Sequence, residues 1–261
     1  MRTFKVTAVL AAAAASLSLA ACAAAAPTSL DAVRDEGTIV VGTEGTYRPF
    51  SFHENGVGGL TGYDVEITEA VADKLGVEVQ FEEAQWDALF AGLNAGRFAM
   101  VANQVSVTPE REGSYEFSEP YTVSPGVIVV REGDSAITSF ADLAGKTTAQ
   151  SLSSNWYTLA QENGASVEAV EGWAQSVSLL EQGRVDATVN DRLTFLDYML
   201  QTPDAPIQVA AETDDPALMA FAFAKDNTEL RDAVNAALKE LRDDGTLAEI
   251  SMKYFGEDVS Q

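Results

Sequence analysis

Leu93-Asn94-Ala95-Gly96-Arg97-Phe98 and Leu180-Glu181-Gln182-Gly183-Arg184-Val185 carry the same local instruction. Each closes a segment with helical spacing, puts a glycine where a helix stops, and opens an apolar run suited to a buried strand. Each run ends in polar residues, Asn103-Gln104 in the first and Asn190-Asp191 in the second, with a step of 7 from glycine to asparagine both times. In open α/β sheets ligands sit beyond the carboxyl ends of strands, so two such ends are expected to face one another across a cleft. Gly-Arg after a helix is also common punctuation, and chance recurrence is the competing reading.

Outward from these two units, strand-like and helix-like segments alternate, which argues for an α/β architecture. Ile39-Val40-Val41 reads as a buried strand ending at Gly42. Ile67, Ala70, Val71 and Leu75 fall at helical spacing before Gly76, and Val77, Val79 and Phe81 alternate as a strand. Asp87 to Asn94 reads as a helix and Phe98 to Ala102 as a buried strand. Helices are expected around Ser154 to Glu162 and Ala174 to Glu181. A last helix carries Leu230, Val234, Leu238 and Leu241 on one side, with Gly245 at its end.

Candidate site residues cluster after the strands. Asn103-Gln104-Val105-Ser106-Val107-Thr108-Pro109-Glu110-Arg111 reads as a loop rich in amides and hydroxyls that leads into a helix start at Pro109. Free N–H groups there, with the planar fork of Arg111, suit a carboxylate; a surface arginine paired with Glu110 or Glu112 is the other reading. Glu44 follows the first strand and suits an ammonium or polar ligand tail. Tyr47 and Trp86 are candidate pocket walls or simply core aromatics. Asp191 is either a carboxylate for a ligand ammonium or a helix N-cap.

The first 21 residues form a leader: Arg2 and Lys5 give a positive start, and Val6 to Ala21 is almost wholly apolar. The run is shorter than the roughly 20 residues a spanning helix needs. Leu19-Ala20-Ala21-Cys22 resembles a bacterial lipobox, which would make Cys22 the lipid-modified first residue. Residues 22–37 then form the lipidated N-terminus and a tether, anchored to the outer face of the cell membrane or on the periplasmic side.

Composition narrows the function. The 261 residues carry 16 Lys and Arg against 40 Asp and Glu, a net charge of -24, with 46% hydrophobic and 21% charged residues. That surface is a poor partner for nucleic acid and belongs to an ordinary globular chain. One cysteine excludes an intrachain disulfide, and one histidine, His53, excludes multi-histidine zinc sites. Gly56-Val57-Gly58-Gly59 lacks nucleotide-fingerprint spacing. No catalytic nucleophile, metal site or cofactor is expected.

Gly42 through Phe50, Leu60 through Glu66, Asn103 through Arg111 and Asp244 through Gly256, in this order, resemble the polar amino-acid substrate-binding proteins of ABC importers, solute-binding protein family 3. The resemblance covers Thr38 to Val259 and implies a two-lobed periplasmic-binding-protein fold of type II with its ligand between the lobes. Lobe 1 would span 38–124 plus 220–261 and lobe 2 125–219. It further implies that Arg111 grips a ligand α-carboxylate with help from Ser106 and the Ser154-Asn155 loop. Asp191, aided by Asn103, Gln104 and Val105, would hold the α-ammonium, Tyr47 and Trp86 would sandwich the ligand, and Glu44 would face its side chain. Ala149 through Trp156 and Asn190 through Leu193 are most similar to cystine- or cysteine-binding members. The implied partners are a free polar amino acid and a membrane ABC permease, with the binding protein itself a monomer. An amino-acid receptor for a sensor protein, and a dehydratase-like enzyme on the same fold, are the other readings.

Overall fold

The computed structural model describes residues 26–261; the expected leader and Cys22 lie outside the described residues. The first half runs α1 (Leu30–Glu36), β1 (Thr38–Thr43), β2 (Thr46–Tyr47), β3 (Ser51–His53), β4 (Leu60–Thr61), α2 (Tyr63–Leu75), β5 (Glu78–Glu83), α3 (Trp86–Asn94), β6 (Met100–Ser106), α4 (Pro109–Glu112), β7 (Tyr115–Phe117) and β8 (Thr122–Ser124). A second unit follows: β9 (Gly126–Arg131), β10 (Thr147–Gln150), α5 (Asn155–Glu162), β11 (Ser166–Ala169), α6 (Trp173–Glu181), β12 (Ala187–Asp191), α7 (Arg192–Gln201) and β13 (Ile207–Glu212). The chain then returns through β14 (Ala217–Ala224), α8 (Thr228–Asp243) and α9 (Thr246–Phe255).

Besides a small sheet of β2-β3-β4, two larger sheets form, with equivalent connectivity. The first is ordered β5-β1-β6-β14-β7, with β8 also on β14; the second is β11-β10-β12-β9-β13. In each, three parallel strands meet an antiparallel fourth, and the third parallel strand is the one preceded by the repeated glycine stop. The stops match in detail. Gly96 and Gly183 take φ of 67° and 69°, which glycine adopts without a Cβ penalty. The next N–H reaches back to the same turn in both, Arg97 to Gly92 O at 3.0 Å and Arg184 to Leu179 O at 2.9 Å. The recurrence is therefore structural, not chance.

Each sheet is packed on both faces, which explains its near-continuous apolar strands. Ile39, Val41, Met100, Phe221 and Phe223 lie in one core with α2 and α8, whose Leu230, Val234, Leu238 and Leu241 are all buried. Ile128, Val130 and Val189 anchor a separate core in the second lobe. Each fully buried side chain of this kind contributes about 1.5–3 kcal/mol.

The chain crosses between lobes twice, from β8 to β9 and from β13 to β14. The crossings are joined by reciprocal bonds, Gly126 N to Thr213 Oγ1 at 3.0 Å and Thr213 N to Gly126 O at 2.8 Å. Ala217–Met219 pair with β8 in the first sheet, so β14 enters lobe 1 before the expected division at 219/220. Met219 nevertheless packs its side chain into the second core.

Three sequence expectations change. Asn103–Ser106 are strand, not loop, because β14 pairs along Val105 and Ser106. The stretch 30–36, expected within a tether, is helix α1, whose Val33 is buried in the first core, and α7 at 192–201 had no counterpart in the sequence reading. The helix of Leu230 to Leu241 is not the last: Gly245, at φ 86°, separates it from α9.

Candidate ligand cleft

The lobe 1 wall is built at the end of β6. The register with β14 shifts between Ala220 and Ala222, and Gln104 has φ of 50°. A bulge of this kind re-aims side chains, and here it brings both Asn103 and Gln104 to the cleft. Asn103 Oδ1 accepts from Glu44 N at 2.9 Å and Thr43 Oγ1 at 3.1 Å, while its Nδ2 donates to Glu44 Oε2 at 2.7 Å. Burial pushes the Glu44 carboxyl up to about 7; the Asn103 bond opposes the rise and the Asp87 charge adds to it.

Gln104 continues the network downward. Its backbone N donates to Asp64 Oδ2 at 2.7 Å, and its Nε2 to Asp64 Oδ1 at 2.6 Å and Thr122 Oγ1 at 3.1 Å. Asp64, wholly buried, is pushed up to about 6 by desolvation against these bonds. Gln104 Oε1 and Trp86 Nε1 are buried and have no protein partner.

The lobe 2 wall is built by helix starts. Ser154 caps α5, its Oγ accepting from Trp156 N. Asp191 caps α7: Oδ1 accepts from Leu193 N and from Ser124 Oγ, both at 2.8 Å. Its Oδ2 is buried and has no partner. Desolvation pushes the Asp191 carboxyl up to about 7, against the pull of those two donors. Gly172 begins α6 with no side-chain cap.

The two walls touch directly. Tyr47 Oη donates to Asn190 Oδ1 at 3.0 Å and lies 2.9 Å from Thr194 Oγ1. Arg48 Nε reaches Asp197 at 3.4 Å. On the other flank, Asp87 Oδ1 accepts from Ser153 N at 3.0 Å and from its hydroxyl at 2.5 Å. Arg111 donates to Ser106 O in its own lobe at 2.9 Å and to Ser153 O in the other at 3.0 Å. Its guanidinium lies 5.3 Å from the Trp86 ring and 5.4 Å from Phe90, and burial lowers its pKa to about 10. Between these contacts lies a cavity of about 250 Å³.

Of the residues expected at the site, Glu44, Tyr47, Trp86, Asn103, Gln104, Ser154 and Asn155 line that cavity. Four do not. Val105 packs into the core with Leu89 and Phe98, on the same face of β6 as Val101. Ser106 offers its carbonyl to Arg111. Arg111 itself opens onto an adjoining groove with Phe90, Thr108 and Ser153. The expected free helix start at Pro109 is capped by Thr108, whose hydroxyl accepts from Arg111 N. Asp191 is buried behind the wall, and its neighbour Asn190 faces the cavity. Sequence reasoning missed Gln85, Trp173 and the start of α6, where Gly172 brings no capping side chain that could mark it.

Comparisons with known proteins agree with this architecture. The chain is 50% identical over 229 residues to the L-cystine-binding protein TcyA of Bacillus subtilis (strain 168), covering 88% of this chain and 85% of that one. It resembles the L-cystine solute receptor of Neisseria gonorrhoeae in the unliganded open conformation at 47% identity, covering 89% and 99%, with a TM-score of 0.60. An ancestral arginine-binding protein bound to arginine is 36% identical, covering 84% and 99%, yet overlaps better, at 0.78. Overlap falls while identity rises, the order expected of a chain whose lobes are already drawn together by Tyr47, Arg48, Asp87 and Arg111. Residues 39–257 match the family model of the bacterial extracellular solute-binding proteins, family 3. This chain belongs to that family.

Proposed function

We propose that the protein is the extracytoplasmic substrate-binding component of an ABC amino-acid importer, capturing cystine or cysteine by lobe closure and delivering it to a membrane permease. The observation that carries the reading is the cavity itself: it lies between lobes that bond to each other, and its surroundings keep polar atoms without protein partners. Burying such atoms unpaired costs about 1–3 kcal/mol each, more for a charge, so a ligand that pairs them binds the closed state selectively. A dipolar amino acid supplies an ammonium for the unpaired Asp191 Oδ2 behind the cavity wall and a carboxylate for Arg111 in the adjoining groove, so both side chains must turn toward it as it enters. About 250 Å³ is room for a molecule displacing roughly eight waters.

Cystine is favoured by the names of the relatives at 50% and 47% identity. The lipobox-like Leu19-Ala20-Ala21-Cys22 supports an acyl anchor, at about 0.8 kcal/mol per buried methylene, that keeps the protein near its permease. Capture rather than turnover is the role proposed. A thermal-shift screen of the 20 amino acids with cystine added tests it, since a ligand of the native state raises the midpoint. Cystine is expected to give the largest rise and to be recovered unchanged; no rise with any of them, or conversion of the ligand, overturns the proposal. Release of a Cys22→Ser variant from the membrane fraction tests the anchor.

A further inference from the structure

Cystine has two amino-acid heads, and the proposed capture assigns one of them to Arg111, beside the cavity, and Asp191, behind its wall. The rest of the cavity wall is charged in a specific way. Glu44, on lobe 1, is held in place by Asn103 Nδ2 at 2.7 Å. Its other oxygen, Oε1, lies 3.8 Å from the position a Cβ on Gly172 would take. Gly172 begins α6, a helix of 9 residues, and Gly172, Trp173, Ala174 and Gln175 all line the cavity.

Of the three lobe 2 helices α5, α6 and α7, two have their starts closed by side chains, Ser154 and Asp191, and α6 has no such cap. The N–H groups of its first turn carry the positive end of the helix dipole, equivalent to about half an elementary charge. A carboxylate of lobe 1 and an uncapped helix start of lobe 2 therefore stand side by side, and no hydrogen bond joins them.

A second observation points to a ligand here. Trp86 and Gln104, only 8% and 6% exposed, belong to the same cavity wall, and Trp86 Nε1 and Gln104 Oε1 lack protein partners. A donor and an acceptor both wait on the lobe 1 side. A simple anion at this end meets the Glu44 carboxylate, and a simple cation meets the helix dipole. A zwitterion suits both.

We infer that the cavity has a distal subsite for a second zwitterionic head, its ammonium on Glu44 and its carboxylate on the free N–H groups that open α6. This rests on the proposed capture of cystine and deepens it: the site selects a bis-amino acid over an amino acid with a plain polar tail.

Calorimetry with three disulfides tests the inference. They are L-cystine, S-(2-aminoethylthio)-L-cysteine, which lacks the distal carboxylate, and S-(2-carboxyethylthio)-L-cysteine, which lacks the distal ammonium. Each truncated ligand is expected to bind at least about tenfold more weakly than cystine, the worth of one charge-assisted bond. Gly172→Ser provides the missing cap. The backbone there is extended, and a Cβ meets only Glu44 Oε1 at 3.8 Å, so the variant keeps its fold. It is expected to bind cystine about tenfold more weakly and the aminoethyl ligand unchanged. Glu44→Gln is expected to weaken cystine and the aminoethyl ligand while sparing the carboxyethyl one. Equal affinity of the wild-type protein for all three ligands, or an unchanged ratio of cystine to aminoethyl ligand in Gly172→Ser, overturns the distal subsite and leaves cystine capture standing. No cystine binding at all removes the capture proposal itself.

Discussion

The carboxyl ends of β6 and β12 occupy equivalent places in their sheets and follow the same glycine stop, yet they are finished differently. At β6 both cleft amides are tied to their own lobe, Asn103 to Thr43 and Glu44 and Gln104 through its Nε2 to Asp64 and Thr122. At β12 the chain turns straight into α7, Asp191 spends one oxygen on the cap and keeps the other unpaired, and Asn190 bonds across the cleft. Lobe 1 is thus a preorganised wall, and lobe 2 completes its bonding on closure. The cost of ordering polar groups falls on one lobe in advance and on the other at the moment of capture.

The sharpest way to break this contrast is at the unpaired carboxylate. Asp191→Asn keeps an oxygen for Leu193 N and Ser124 Oγ, so α7 stays capped. It removes the charge that the proposed ammonium site needs. Calorimetry is expected to show a loss of about 100-fold or more for the amino acid and far less for its deaminated analogue, the size expected for a buried charged bond. The empty variant should melt no lower than the parent above pH 7, because a desolvated charge has gone. Arg111→Ala belongs beside it: loss of binding with the empty protein's midpoint moved only a few degrees, since a carbonyl of each lobe loses a donor. An unchanged dissociation constant in either variant contradicts its assigned role.

Next in size is the preorganised wall. Asn103→Ala leaves Glu44 N without its acceptor and the Glu44 carboxylate without its donor, while Thr43 Oγ1 keeps Ser51 Oγ at 2.7 Å. Stranding buried groups of this kind costs about 1–3 kcal/mol, a drop of several degrees in the thermal midpoint even without ligand. Asn190→Ala, its counterpart in lobe 2, strands only Asp191 N in its own lobe and should lower the empty protein's midpoint less. Equal losses would erase the distinction between the lobes.

Much of the fold was legible because it is written locally. Gly96 and Gly183 announce the stops, and Ile67, Val71 and Leu75 announce α2. What escaped depends on partners distant in sequence. Asn103–Ser106 look like a loop because their strand partner, β14, lies more than 110 positions away. The stretch 192–201 hid because Leu193 faces the core while Leu196 and Leu200 face solvent, which blurs any single apolar stripe. In the site, residue types were readable and directions were not. Asp191 was singled out, but strand alternation turns Asn190, not Asp191, to the cavity. The α6 start offered no marker residue, since what matters there is the lack of a cap.

The same contrast has a pH signature. Burial raises Asp191 and Glu44 to about 7 and Asp64 to about 6, above their ordinary values near 4. The folded protein then binds more protons than the unfolded chain in that interval, so the stability of the empty form falls as pH rises from about 4 to 7 and levels off above. Ligand with a protonated amine reverses the sense, because ionised carboxylates are its partners. The ligand-induced rise in midpoint should therefore grow between pH 5 and about 7.5. Asp191→Asn should remove part of that growth. A shift independent of pH would mean that these carboxyls do not change charge when the ligand enters.

The smallest expected effect probes closure alone. Tyr47→Phe keeps the ring and its packing on Phe50 but removes the hydroxyl that joins Asn190 and Thr194 across the cleft. Asn190 Oδ1 still accepts from Asp191 N, so that acceptor is not stranded, while the buried Thr194 hydroxyl loses its partner and two inter-lobe bonds go. At about 1–1.5 kcal/mol in all, that loss predicts a roughly five- to tenfold weaker affinity, carried by faster ligand release. The empty variant should also be more open by small-angle scattering. If Tyr47→Phe instead lowers the midpoint of the empty protein as much as Asn103→Ala does, Tyr47 is part of the fixed wall. The division between a prepared lobe and a closing lobe then fails at its most direct point of contact.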